Sequence, residues 1–292
     1  MKITEAFERG EFVVTAEVGP PKGFHIEHML EEAKTYLSGI TAVNVTDNQS
    51  SVMRLGSLAT CKALKDEGLT PIYQLTCRDR NRIALQSDLL SAAMLGIENL
   101  LLLTGDHTKM GDHPQAKPVF DLDSVSLIHT VKQLESGVDL GGNPLVGEPP
   151  KFAKGAVVSP CSDSIDAQLA KMERKVMAGA DYFQTQAVFE PEKFIKFMEK
   201  AKQFGKPVQV GIIIPKSAGM AKFMNNNVAG IHVPDEMIEE LKADKEKTKA
   251  GITGVEIAAR IIKECKPYCQ GVHIMALGWE SKVPDLLKLA GI

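Results

Sequence analysis

Tryptophan occurs once in this chain, cysteine five times, and aromatic side chains make up only 5% of its 292 residues. The cysteines, Cys61, Cys77, Cys161, Cys265 and Cys269, are odd in number and scattered, which argues against a disulfide framework. Cys265 and Cys269 form "CKPYC", but with no second thiol pair they read as reduced structural thiols. His107 and His113 match no ligand spacing, so no metal is expected. No apolar run approaches the roughly 20 residues of a spanning helix, so no membrane contact is expected. The opening "MKITEAFERGEF" lacks the apolar stretch of a secretory signal, which makes the cytoplasm the expected address. The formal net charge is −3, too little positive charge for a partner held by phosphate neutralisation, and no nucleic acid is expected. Nor does a Gly-x-Gly-x-x-Gly follow the first apolar run, which weighs against a doubly wound dinucleotide fold.

What is present is a rhythm. Apolar, β-branched runs at 11–18, 41–47, 71–77, 99–105, 154–160, 181–188, 207–214 and 271–277 alternate with segments of helical period, such as "SIDAQLAKMERKVMAG". Eight strand signals and eight helical regions leave no room for a second domain. The pattern predicts one α/β domain over 1–292, a single (β/α)8 TIM barrel. Two segments interrupt it. "GDHTKMGDHPQAKPVF" (105–120) follows the fourth strand and belongs on the C-terminal face, where such barrels carry their sites. "GVDLGGNPLVGEPPKF" (137–152) precedes the fifth and belongs on the opposite one.

In a barrel, polar residues that close the apolar runs converge on one face. Here they are Glu17; Thr46, Asp47 and Asn48; Thr76; Asp106; Ser159; Gln184 and Gln186; Lys216 and Ser217. Three carboxylates with amides and hydroxyls, and no histidine–cysteine cluster, suit an organic ligand better than a transition metal. Glu17, set between Ala16 and Val18, reads either as a desolvated general acid or as a strand-end ion pair. Asp106 ends the run "NLLLLTGD" and reads either as a site carboxylate or as a cap on the next element. Gln184 and Gln186 share one strand face, where a pterin ring or a polar layer inside the barrel would satisfy them. Trp279 either walls a planar ligand or packs at the rim.

The segments "AEVGPPKG", "VNVTDN", "LTCRDRNR", "LLLLTGDH", "ERKVMAGADYFQTQAVF" and "GIIIP" occur in the order and spacing of the 5,10-methylenetetrahydrofolate reductase family. The resemblance runs from about residue 10 to the end and is to the catalytic barrel alone, in its bacterial branch, which includes acetogen-type subunits. It implies a flavin, FAD or else FMN, and reduction of 5,10-methylenetetrahydrofolate to the 5-methyl compound in one-carbon metabolism. Glu17 matches the family's general acid and also lies against the folate. Asp106 matches the aspartate beside both flavin and folate. Gln186, with Gln184, falls on the folate side. Thr46, Lys175 and Ala180 match flavin-contacting positions, and Asn48, Thr76, Thr104, Gly105, Ser159 and Gln168 complete that side. Four positions depart from the family pattern: Thr104 replaces an arginine, Ser159 a histidine, Gln168 an aspartate and Gln74 a histidine, all expected around the flavin.

The electron donor implied is NAD(P)H or a partner electron-transfer subunit, and an oligomer or complex is expected. Two rivals remain at this level. One is a non-redox, pterin-dependent methyltransferase on the same barrel, which would be colourless. The other is a folate- or flavin-binding subunit that acts only within a larger electron-transfer complex, which would be inactive alone with a reduced pyridine nucleotide.

Overall fold

The computed structural model describes residues 1–228 and 230–292. In chain order its elements are α1 (Ile3–Glu8), β1 (Val13–Val18), α2 (Glu27–Leu37), β2 (Ala42–Val45), α3 (Ser57–Asp66), β3 (Pro71–Thr76), α4 (Arg82–Met94) and β4 (Asn99–Leu103). There follow α5 (Ser124–Glu135), β5 (Ala153–Val158), α6 (Ile165–Ala178), β6 (Tyr182–Ala187), α7 (Pro191–Ala201) and β7 (Val208–Ile213). The chain ends with α8 (Ala218–Asn227), α9 (Asp235–Ala243), α10 (Lys245–Lys249), α11 (Ile252–Cys265), β8 (Gly271–Met275) and α12 (Val283–Ala290). The eight strands are all parallel and close in sequence order into a barrel, β8 pairing back onto β1. The expected single (β/α)8 barrel is the fold.

The leucine run shows why the strands read as continuous apolar stretches. In β4, Leu100 and Leu102 face the helices, whereas Leu101 and Leu103 face the barrel interior, so both faces are covered. The helices are set by local signals. Asn81 caps α4 by accepting from the N–H groups of Ile83 and Ala84, and Asp123 caps α5 by accepting from Ser126. Gly179, at φ +117°, ends α6 in the left-handed region that favours glycine. The single helical region expected between β7 and β8 resolves into α8 to α11.

Helix α1 has no counterpart in the expected rhythm. Ile3, Ala6 and Phe7 plug the N-terminal end of the barrel against Val13, Ala42, Ile72, Ala153 and Tyr182, which lie at or near the strand starts. The Ile3 N–H donates to Asn99 Oδ1 at 2.7 Å, fixing α1 to β4. The 137–152 segment precedes β5 and is held by an antiparallel bridge between Val138 and Pro144 and by Asp139, which accepts from the N–H groups of Gly141 and Asn143. No helix among the described residues is long and apolar enough to cross a membrane.

Candidate active site

At the C-terminal end of the strands lies a cavity of about 580 Å³, within the range usual for small-molecule sites. Of the residues expected there, Glu17, Asn48, Thr76, Thr104, Gly105, Asp106, Ser159, Gln168, Lys175, Gln184 and Gln186 line it. Thr46 and Ala180 are buried behind the lining. Thr46 Oγ1 has no hydrogen-bond partner among the described residues, an unusual state for a buried hydroxyl.

Glu17 ends β1 and is 8% exposed. Its Oε1 accepts from Gln49 Nε2 and its Oε2 from Gln74 Nε2, each at 3.0 Å. The carboxylate is therefore held by two neutral amides, and its nearest basic side chain is His273, whose Nε2 lies 3.7 Å from Oε2. Gln74, expected around the flavin, donates to the acid candidate.

Asp106 is reached through a turn that only glycine accommodates well. Gly105 has φ +91°, and a Cβ there would lie 3.1 Å from Thr76 Cβ and 3.2 Å from Arg78 Cβ. Asp106 caps nothing: His107 accepts from the Lys109 N–H at the start of the short 3-10 turn Thr108–Met110. The Asp106 carboxylate is exposed and has no hydrogen-bond or ion-pair partner among the described residues. Thr104 Oγ1 accepts from the Ser124 N–H at 3.1 Å, tying the strand end to the start of α5. Thr76 has its hydroxyl engaged as well, donating to Asp47 Oδ2 at 2.8 Å. Asp47 is also gripped by Arg80 at 2.8 Å, so this strand-end carboxylate serves the framework.

Three loops lock together beside Glu17. Asn48, Ser50 and Ser51 all have positive φ, an uncommon run for residues other than glycine. Gly111, from the 105–120 segment, packs so closely on this run that a Cβ would fall 1.7 Å from the Ser51 carbonyl oxygen. Its neighbour Asp112 accepts from the Met53 N–H and from Lys22 in the loop after β1.

The opposite wall is basic. Lys171, Arg174 and Lys175 sit at i, i+3 and i+4 on α6 and line the cavity together. Lys175 Nζ donates to the Val157 carbonyl at 2.6 Å. Burial, reinforced by the charge of Lys171, lowers its pKa to about 8. Gln168, one turn earlier on α6, accepts from the Ser159 N–H at 3.3 Å, so two of the four departures from the family pattern meet each other. A cationic helix face suits the phosphates of a flavin nucleotide. Together with the polar strand ends and the unpartnered Thr46 hydroxyl, it makes a donor set that fits such a cofactor.

Gln184 and Gln186 both reach the cavity, as their shared parity requires, but their circumstances differ. Gln184 is 1% exposed and belongs to a polar layer inside the barrel. It accepts from Asn44 at 2.9 Å and donates toward Gln209 Oε1 at 3.1 Å. Gln186 is half-buried, its Oε1 accepting only from the Ala187 N–H at 3.2 Å. A bulge in β6 accompanies it: pairing with β7 shifts between Gln184 and Ala187, and the Gly211 N–H donates to Thr185 Oγ1 instead.

Sequence reading missed Gln49, Arg78, Lys171, Arg174 and His273, all of which line the cavity. The two α6 cations were detectable by their helical spacing from Lys175. His273 was detectable because it alternates in step with Gly271 and Met275 along β8. Trp279 packs at the rim, with Lys216 Nζ 5.0 Å from its ring centre, and does not line the cavity. All five cysteines are buried. Burial pushes the Cys77 thiol up to about 12, and Cys161 and Cys269 to about 11, which suits structural thiols.

Known proteins agree with this architecture. The structure of a Clostridium thermocellum protein described as binding two copies of 5-methyl-5,6,7,8-tetrahydrofolic acid superposes with a TM-score of 0.69 at 14% identity, covering 99% of this chain and 98% of that one. A 2,3-dimethylmalate lyase superposes with a TM-score of 0.53 at 12% identity, covering 99% of this chain and 87% of that one. At these identities the likeness concerns the fold. In sequence, methylenetetrahydrofolate reductase 2 of Schizosaccharomyces pombe is 28% identical over 81% of this chain and 38% of its own length. The 5,10-methylenetetrahydrofolate reductase of Salmonella typhimurium is 26% identical over 87% of this chain and 82% of its own. The family profile described as methylenetetrahydrofolate reductase matches residues 2–291, and the chain belongs to that family of enzymes.

Proposed function

We propose that this chain reduces the methylene bridge of 5,10-methylenetetrahydrofolate to a methyl group, with a flavin nucleotide, FAD in preference to FMN, held at the C-terminal face. The observation that carries the reading is the pairing, in one cavity, of an amide-held carboxylate at Glu17 with an unpartnered carboxylate at Asp106, facing a basic wall on α6. The folates named for its relatives and for a structural neighbour support the same ligand class. A bound flavin, once reduced, supplies the hydride.

The residues divide the remaining work. Lys171, Arg174 and Lys175 hold the phosphates. Asp106, which lines the same cavity, would contact both flavin and folate and would orient the pterin by accepting from its N–H groups. Gln186, whose amide nitrogen has no partner among the described residues, binds the folate. Glu17 gives a proton to the departing nitrogen of the five-membered ring. The C–N bond breaks with its electron pair going to that nitrogen, and the methylene carbon becomes an iminium open to hydride. Holding two planar ligands against each other supplies much of the remaining acceleration.

The test is anaerobic. Purified protein should carry or take up a flavin, identified as FAD or FMN by mass spectrometry, and NADH, NADPH and an artificial donor should be compared for bleaching it. Methylenetetrahydrofolate should then restore the oxidised spectrum. Protein that stays colourless after incubation with both flavins overturns the reading. Bleaching by the artificial donor alone points to a partner electron-transfer subunit.

A further inference from the structure

We infer that His273 is a positioning residue for Glu17, locked by the barrel's internal polar layer in the tautomer that presents Nε2–H to that carboxylate. The inference rests on the reading of Glu17 as the proton donor. His273 is 4% exposed, lies on β8 and lines the cavity. Its Nε2 is 3.7 Å from Glu17 Oε2, and its Nδ1 is 3.0 Å from Thr15 Oγ1. Thr15 stands two residues before Glu17 on β1, so the two side chains share a face and bracket the imidazole.

The direction of the Thr15 bond decides the tautomer. The side-chain nitrogens of Gln184 and Gln209 lie 3.3 Å and 3.1 Å from Thr15 Oγ1. An amide nitrogen donates and does not accept, so the threonine hydroxyl cannot donate to that side. Its own hydrogen then has two acceptors within reach, His273 Nδ1 at 3.0 Å and the Val272 carbonyl at 3.5 Å, and the shorter contact is to the ring. With Nδ1 accepting, a neutral imidazole carries its hydrogen on Nε2, facing Glu17. The amide orientations are themselves tied down: Asn44 Nδ2 donates to Gln184 Oε1, and Gln209 Nε2 also reaches the carbonyls of Val13 and Val272.

The consequence is chemical. When Glu17 has released its proton to the folate nitrogen it is a carboxylate, and a hydrogen bond to an ionised acceptor is about twice as strong as one to a neutral group. Gln49 and Gln74 already donate to it, and Nε2–H adds a third donor as the 3.7 Å gap closes in the liganded enzyme. All three favour the product side of the proton transfer. Around the ring, β1 offers Glu17 and Thr15, β6 Gln184 and β7 Gln209; Glu17 is the one titratable group among these.

Two measurements test this. Nitrogen-15 NMR of the imidazoles, with His273 assigned by its absence from the His273→Gln spectrum, should show His273 neutral with the proton on Nε2. A proton on Nδ1 overturns the inference whatever the enzyme does with folate. Then two variants are compared by rapid mixing. His273→Gln places an amide near Nε2 and should retain reoxidation of the reduced flavin by methylenetetrahydrofolate within about 3-fold. His273→Asn places its amide near Nδ1 and should slow that step on the order of 10-fold or more, with flavin reduction unchanged in both. Equal losses in the two variants, or matching losses in flavin reduction, mean a merely structural histidine and overturn the proposal. Wild-type protein that performs neither half-reaction overturns the functional reading instead, while the tautomer measurement still judges the geometry.

Discussion

Glu17→Gln keeps the shape of the side chain and a hydrogen-bonding group between Gln49 and Gln74, but removes the transferable proton. Flavin reduction by its donor should survive. Reoxidation by methylenetetrahydrofolate should fall on the order of 100-fold, about 3 kcal/mol of barrel-supplied barrier lowering. Asp106→Asn should slow both half-reactions, and rapid-mixing absorbance separates the two patterns. A Glu17→Gln enzyme slowed equally in both would make Glu17 a strand-end support. Lys175 adds a pH dependence. Its pKa is lowered to about 8, so below that pH the unliganded protein presents a cation and above it a neutral amine that must recover a proton before it can pair with phosphate. Flavin affinity, followed by fluorescence, should therefore weaken from pH 7 to pH 9 in the wild type and stay level in Lys175→Arg, which keeps its charge. A wild-type titration that is flat across this range would remove Lys175 from the site. At this scale the sequence was legible where a polar residue closed an apolar run, as at Glu17 and Asp106. It was not legible where the polar residue sat inside the run. Thr15, Asn44, Gln209 and His273 were passed over because their neighbours are apolar, although alternation puts them on the interior face. Whether a side chain was free could not be read at all: Thr76 and Thr104 spend their oxygens on Asp47 and Ser124, contacts made across 29 and 20 residues.

Among the elements, the segment 105–120 and the loop after β2 are set by mutual contact. Gly111 lies against Ser51 so closely that Gly111→Ala must push the two apart, since the atom it meets is backbone. Gln49 travels with that loop, so the substitution should loosen one of the two amide donors on Glu17. The expected result is a folate KM raised several-fold with a stability loss of about 1–3 kcal/mol, the usual range for overpacking, read by activity and thermal unfolding. An unchanged KM would show that the loop contact does not reach the site. The strands were legible because both their faces are apolar, and their observed ends fall within a few residues of the runs. The bulge in β6 was not, because it depends on Thr185 meeting the N–H of Gly211 from the next strand.

For the molecule as a whole, the barrel separates what stabilises it from what it does. Ile3 is wholly buried in the plug beneath the strands, on the face away from the cavity. Ile3→Ala should cost about 2–5 kcal/mol and lower the melting temperature, while flavin spectrum and both half-reactions at 25 °C stay as in the wild type. A changed spectrum would mean that the two ends of the barrel communicate. The eightfold rhythm made the fold legible, whereas α1 was hidden because its six residues are too few to display a helical period. The interlocked loops also bear on time. Asp112 joins the loops after β1 and β2 to its own, so that arc of the rim takes its shape as the chain folds. The entropy of fixing it is spent once per molecule and not once per turnover, so ligands on this side meet a rim already set.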